Sequence, residues 1–573
     1  MLSNPKDIMA SELGPLPQGD NTAVPGDTPK ERAKFPGVIK MEEINSELKR
    51  WERWLIFASL FLMGWAIGLD ALARSTYQAY ATSSYAQHSL LSTVNVIKSV
   101  VAATVGPTVA KLSDQIGRLE LFITTTVFFV VGTIIETCAL NVQTFSIGAI
   151  LYSIGYSCTL AMFDIVIADL TSIRSRIFFI LVPNLPYVFN TWISGNLTSA
   201  VLGATTWQWG IGMWSIIYPV CTLPFITILA TVGHRASKKR SNSASSDKGP
   251  AQRALKMFRT LDVPGLFMLT ASLAMTLIPL TLAGGETKKW QTAGIITPLV
   301  LGILLFPVFV LWELKASNPV IPMYLFRNRG VWATMAGDVL MMFSWYIQAD
   351  FLYTVLVVSF DFSIEAATRV SSTYNFCSVL SGAVVGLIIR QVRRPKPFVI
   401  AGIGLWLLAY GLLYYYRGGS GGSARSGVIA GQVLLGIGGL ATYPNFAIAQ
   451  AVCKHEDVAL IISLMLAMTN VGVALGGCVS GAIWTQTLYD QLKVDLASNV
   501  TLASSVYQSP LTVVPLYPVG TPERDAIIHS YQYIQRLLVI TGMCLSVPML
   551  AVALCLPDLR FPATKAQNVA ESY

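Results

Sequence analysis

"HRASKKRSNSASSDKGPAQR", residues 234–253, decides how the rest of the chain is divided. Serine, lysine and arginine dominate it, the composition of a solvated linker with no apolar face to bury. Apolar runs flank it on both sides. The 573 residues are 53% hydrophobic and 12% charged, with a mean hydropathy of +0.56, a balance that belongs to membrane proteins and not to a soluble domain. A bilayer core of about 30 Å takes roughly 20 helical residues. Runs of that length begin near residues 54, 90, 119, 143, 177, 208, 262, 291, 331, 368, 397, 427, 458 and 533, which predicts an all-α polytopic protein with 14 transmembrane helices. Six precede the linker and eight follow it.

Charge orients this frame. With the N-terminus inside, the inner connections hold twenty Lys and Arg residues, among them Lys111, Arg118, Arg174, Arg176, the cluster from Arg235 to Arg259, and Lys454. The outer connections hold eight, including Arg74, Lys288, Arg369 and Arg524. That asymmetry is the positive-inside signature. The net charge of +9 is therefore a topology signal, and nucleic acid is not an expected partner. The eight cysteines lie in or beside apolar runs without CxxC spacing, and His88, His234, His455 and His529 are isolated in sequence, so neither a disulfide scaffold nor a bound metal is expected. Nothing has the pattern of a nucleophile with its base, and no enzyme is expected.

The expected organisation is a disordered cytoplasmic tail (1–50), a six-helix bundle (51–232), the cytoplasmic linker (233–261), an extra helix pair with its connection (262–330), a second six-helix bundle (331–556) with an outside loop at 485–532, and a cytoplasmic tail (557–573). Two bundles joined by a basic linker are the build of a secondary carrier. The segment "KMEEINSELKRWERW", residues 40–54, reads as an amphipathic interfacial or solvated helix. Asn499-Val-Thr501 in the outside loop has the sequence of a glycan acceptor and is expected to serve as one.

"AKLSDQIGRLE", residues 110–120, carries Asp114, Gly117 and Arg118 in the D-x-x-G-R spacing. It resembles the loop between helices two and three of the major facilitator superfamily, whose Asp and Arg form a conformational gate, although Ala110 and Gln115 depart from the usual residues. "LDALARSTYQAYATSSYAQHSLLSTVNVIKS", "DIVIADLTSIRSRIFF", "NTWISGN", "GAIWTQTL" and "YPVGTPERDAI" are similar to segments of the fungal siderophore iron transporters, a fourteen-helix branch of that superfamily. The resemblance implies proton-coupled import of ferric siderophores, hydroxamate complexes above all, by a monomer in the plasma membrane or in endosomal vesicles. Iron then arrives already chelated and the protein binds no cofactor. A smaller branch exchanges glutathione for protons, which is the alternative.

Candidate site residues follow from helical spacing. Asp70, Arg74 and Tyr77 share one face, as an ordinary i,i+4 ion pair or as a cavity-facing group. Asn95 and Lys98 share a face of the second helix near His88, and Lys98 would offer three donors to chelate oxygens or pair with a carboxylate of another helix. Ser153, Ser157 and Asp164 make a polar stripe, and so do Tyr346, Asp350 and Tyr353, whose tyrosines suit an interfacial belt equally well. Asp70, Asp164 and Asp350 are the candidate proton carriers. In "YPVGTPERDAIIHSYQY", residues 517–533, Arg524 and Tyr531 are candidates for capturing the complex, against a plain helix start at Pro522. Gly472, Gly476 and Ser480, with Gly477 and Gly481, have the spacing of a close helix seam.

Overall fold

Thirteen helices of the computed structural model, taken over its described residues, are long and apolar enough to cross a bilayer. The structure describes residues 36–171, 179, 182–239, 261–283, 287–316, 319–453, 458–497 and 499–560. Most of the expected linker, Arg174, Arg176, His455 and the ends of both expected tails lie outside the described residues.

Helix α1 (Pro36–Glu47) precedes the spans. The first half comprises α2 (Arg50–Ser84), α3 (Leu91–Ile116), α4 (Arg118–Thr137), α5 (Val142–Leu170), α6 (Tyr187–Ala204) and α7 (Trp214–Lys239). An extra pair follows, α8 (Val263–Leu282) and α9 (Ala293–Lys315). The second half comprises α10 (Arg329–Ala349), α11 (Ile364–Val392), α12 (Lys396–Tyr415), α13 (Gly422–Gly438), α14 (Val458–Asp495) and α15 (Pro522–Cys555). Polar residues start these helices where the sequence supplies them. Asn141, Asp262, Asn328, Ser363 and Thr521 each accept a hydrogen bond from a backbone N–H of the first turn.

Thirteen of these fourteen meet the length and apolarity test, and α6 is the exception. Its buried face, Asn190, Thr191, Ser194, Gly195 and Thr198, packs between α2 and α11, while Phe189, Trp192 and Ile193 are exposed on the other side. Two helix pairs join the halves, α3 with α14 and α6 with α11. The extra pair is peripheral: α8 leans on α3 and α14, whereas α9 packs on α8 and leaves Ile296, Val300, Leu304, Val308 and Leu311 exposed, an apolar face for lipid.

The glycine spacing of α14 makes two seams. A Cβ on Gly472 would stand 2.5 Å from the Val339 carbonyl oxygen, and one on Gly476 would stand 2.7 Å from Tyr346 Cβ, so α14 closes on α10 within its own half. Gly477 faces Val96 and Gly481 faces Ser92, both on α3 of the other half.

Three boundaries differ from the sequence reading. The tail expected through residue 50 is helical from Pro36, and the amphipathic stretch breaks before Lys49, whose N–H donates to Glu52 at 3.0 Å and starts α2. Helix α14 runs on to Asp495, so the loop expected from 485 is shorter, and it contains a further helix, Val500–Gln508. Arg74, counted with the outer connections, lies inside α2.

Candidate functional site

Lys98 lies on α3 one turn after Asn95, so both side chains leave the same face. They meet Gln78 of α2. The Lys98 ammonium donates to Gln78 Oε1 at 2.6 Å, Gln78 Nε2 donates to Asn95 Oδ1 at 2.9 Å, and Asn95 Nδ2 donates to Asp350 Oδ1 at 2.7 Å. Ser480 of α14 donates to the other Asp350 oxygen at 2.6 Å. The chain begins in the first half and ends in the second. Each amide accepts on the ammonium side and donates on the carboxylate side, so the two charges are linked through aligned dipoles, an arrangement that hydrogen bonds in low dielectric reinforce. Gln78, Asn95, Asp350 and Ser480 are buried, and Lys98 is half-buried.

A second cluster sits wholly in the first half. Arg74 pairs with Asp70 at 2.9 Å and with Glu136 of α4, and reaches Thr133 Oγ1 at 3.3 Å. Tyr152 of α5 donates to Asp70 Oδ2 at 2.8 Å, and the guanidinium carbon lies 3.8 Å from that ring's centroid. All four charged or phenolic partners are buried. An ion pair out of water is tolerated only when its hydrogen-bonding capacity is filled, and here it is. Tyr77 shares the face of Asp70 and Arg74, yet it packs among Val94, Phe145, Trp207 and Ile211 with its ring against Gly210.

The other candidates are spread along the molecule. His88 is fully buried between the halves, with Nδ1 3.1 Å from Thr82 Oγ1 and Nε2 3.0 Å from Thr354 Oγ1. Near it Thr76 lies 3.0 Å from Thr368, Thr198 lies 3.2 Å from the same Thr368, and Ser509 donates to the Ser83 carbonyl at 2.8 Å. Several polar contacts between the halves thus lie at the His88 end. Tyr346 stacks edge-on to Trp345 and is half-buried, and Tyr353 is buried beside Tyr80. Asp164 is half-exposed on α5 and has no polar partner among the described residues.

At the opposite end Arg118 pairs with Asp114 at 2.9 Å and with Asp169 of α5 at 2.8 Å, and donates to the Ser113 carbonyl at 2.9 Å. Gly117 joins α3 to α4 at φ +118°, a conformation suited to glycine, and a Cβ there would run into Glu120. Asp169 thus ties this loop to the end of α5. Arg524 is 3% exposed and donates to the Val514 carbonyl at 3.0 Å, with Asp361 at 3.4 Å, while Tyr531 is fully buried against Trp484. Both residues therefore lie inside the packed cap of the second half, and α15 begins at Pro522 with a Thr521 cap, the helix-start reading. Asn499 is exposed and caps its helix through Leu502 N–H at 2.9 Å.

Comparison with known proteins places this geometry. "Siderophore iron transporter ARN1" of Saccharomyces cerevisiae is 37% identical over 581 residues, covering 98% of this chain and 92% of the relative. "Siderophore iron transporter 1" of the same yeast is 42% identical, covering 91% of this chain and 84% of the relative. The chain belongs to the fungal siderophore iron transporters. A namesake in Schizosaccharomyces pombe is 34% identical, covering 89% of this chain and 83% of the relative. No family model matches the chain.

Solved structures give the fold of this siderophore transporter family member. A bacterial homologue of the lysosomal transporter Spinster, in an inward-facing unoccupied conformation, superposes with a TM-score of 0.56 at 11% identity, covering 90% of this chain and all of that one. The peptide transporter POT with alafosfalin reaches 0.58 at 12% identity, covering 90% and 98%. The fold is that of the major facilitator superfamily, with the α8–α9 pair added between the halves. Within the family member, the residues missed by sequence reasoning are Gln78, Glu136 and Tyr152, and Ser480 was read only as part of a packing seam. Glu136 was legible as the one acid in "VVGTIIETCAL", residues 130–140. Gln78 and Tyr152, both neutral, carried no such signal.

Proposed function

We propose that this transporter imports ferric siderophore complexes together with protons, with hydroxamate complexes as the favoured class. The relatives' names supply the substrate class, and the observation of this chain that carries the mechanism is the Lys98–Gln78–Asn95–Asp350 link between the halves. A hydroxamate complex presents oxygen atoms outward, and a half-buried ammonium beside two amides offers donors to them. Substrate binding at Lys98 competes with its bond to Gln78. That frees the far end of the chain, where Asp350 is held only by the neutral donors Asn95 and Ser480.

A carboxylate held by neutral donors exchanges its proton more readily than one held by a guanidinium. Asp350 is therefore the coupling acid, whereas Asp70 is pinned by Arg74. Protonating Asp350 weakens the tie to the first half, and the halves separate at the His88 end. With the N-terminus inside, that end is the outer one, and the conformation described is outwardly closed. The Asp114, Gly117 and Arg118 loop, anchored on Asp169, acts at the inner end as the gate. Iron passes as cargo in its chelate, with no resident cofactor and no catalysis. The carrier works as a monomer, in the plasma membrane or an endosomal membrane, with a glycan at Asn499.

Labelled ferric trihydroxamate supplied to cells that lack their own siderophore carriers tests this reading. Expression of the chain is expected to produce saturable uptake that external protons stimulate. Glutathione efflux without such uptake would overturn it in favour of an exchanger.

A further inference from the structure

Asp338 takes no part in the contacts described above. It lies on α10, twelve residues before Asp350, about 18 Å along the axis. Its side chain is fully buried. Thr469 of α14 donates to Oδ2 at 2.6 Å, and Oδ1 has no hydrogen-bond partner among the described residues.

The surroundings supply no counter-charge. The facing stretch of α14, "MLAMTNVGVALG" at 465–476, has no ionisable residue, and neither does "MLAVA" at 549–553 of α15. From α11 comes the Tyr374 phenol, and from the short helix Thr442–Ala451 come Tyr443 and Asn445, whose amide donates to the Thr334 carbonyl at 2.8 Å. Arg329, the first residue of α10, is nine residues away, about 13.5 Å along the axis. One hydroxyl donor does not compensate a carboxylate for the loss of water. The group fits this site as a neutral acid.

The same pairing occurs twice along one interface. Asp338 with Thr469 and Asp350 with Ser480 are both α10 carboxyls receiving an α14 hydroxyl at 2.6 Å. The steps between them are twelve residues on α10 and eleven on α14, as two helices running in the same direction require. Gly472 and Gly476 lie between the two levels and let the backbones approach closely enough for these short side chains to meet.

Building on the proton-coupled reading above, we infer that Asp338 is a second proton site: with Thr469 it holds one proton in this conformation and releases it when the α10–α14 seam admits water. Each turnover then moves the Asp338 proton in addition to that of Asp350. No other reactant enters, since the step is a carboxyl losing a proton to water and regaining it.

The test is the number of protons moved per labelled ferric trihydroxamate by the purified full chain in liposomes. Asp338→Asn is expected to lower the ratio by one proton per complex, with binding of the complex within about twofold of wild type. Thr469→Val keeps the carboxyl and removes its donor; the ratio should stay and the pH profile of uptake should move up by about one unit, the scale of one hydrogen bond to a charged group. An unchanged ratio in Asp338→Asn, or an unchanged profile in Thr469→Val where the first variant fails to fold, overturns the second site alone. A wild-type chain that moves no protons overturns the proton-coupled reading and this inference with it.

Discussion

Asp70 and Asp350 are both buried acids, and their partners separate their roles. Asp70 faces a guanidinium shared with Glu136, whereas Asp350 faces an amide and a hydroxyl. Removing one member of a buried ion pair leaves the other charge uncompensated, at a cost of about 3 to 5 kcal/mol. Asp70→Asn is therefore expected to reduce the amount and thermal stability of folded protein. Asp350→Asn replaces one hydrogen-bonding group with another of the same shape, so protein level should be kept while gradient-driven accumulation is lost and exchange of bound complex persists. Membrane protein level and uptake measured together decide the matter, and the opposite pattern would exchange the two roles. Lys98, Asn95 and Asp350 were legible because polar residues at helical spacing in an apolar run stand out. Gln78 was not, because "STYQAYATSSYAQHS", residues 75–89, is polar throughout and gives no contrast. Tyr77 shows a different limit: its face was read correctly, but periodicity cannot say whether that face meets the lumen or the interior of its own half.

At the scale of elements, the glycines of α14 serve two contacts with different tolerances. Gly472 abuts backbone of α10, which cannot yield, whereas Gly477 abuts the side chain of Val96 across the halves, 3.0 Å from a Cβ placed there. Overpacking a close contact costs about 1 to 3 kcal/mol. Gly472→Val should lower the melting temperature of the purified protein, and Gly477→Val should fold normally but slow turnover, since α3 must slide past that face during transport. Equal effects on both properties would show that the two seams are not distinct. The small-residue spacing announced the seam in the sequence, but its two partners come only from the packing. The same holds at the boundaries. Hydropathy located the spans, yet it stopped α14 eleven residues early because "TQTLYDQLKVD", residues 485–495, is helical without being apolar. Helix α6 falls short of the apolarity of the other spans because the face it packs between α2 and α11 is polar.

Across the whole molecule, the six-plus-two-plus-six arrangement was legible from the linker and the apolar runs, and the structure adds which helices cross between the halves and which pair stands aside. The halves meet through α3 with α14 and α6 with α11, with polar ties between them at the His88 end. That set of ties is a property of the folded chain that no periodicity contains. The account ties it to function through a single link, the hydrogen-bonded chain from Lys98 to Asp350, which substrate breaks at one end and a proton at the other. Liposomes containing the purified protein, given labelled ferric trihydroxamate outside and an inward proton gradient, measure this most directly. The expected result is accumulation above the external concentration that collapses when a proton conductor is added. Uptake that stops at equal concentrations on the two sides, with or without the gradient, would contradict a proton-driven importer.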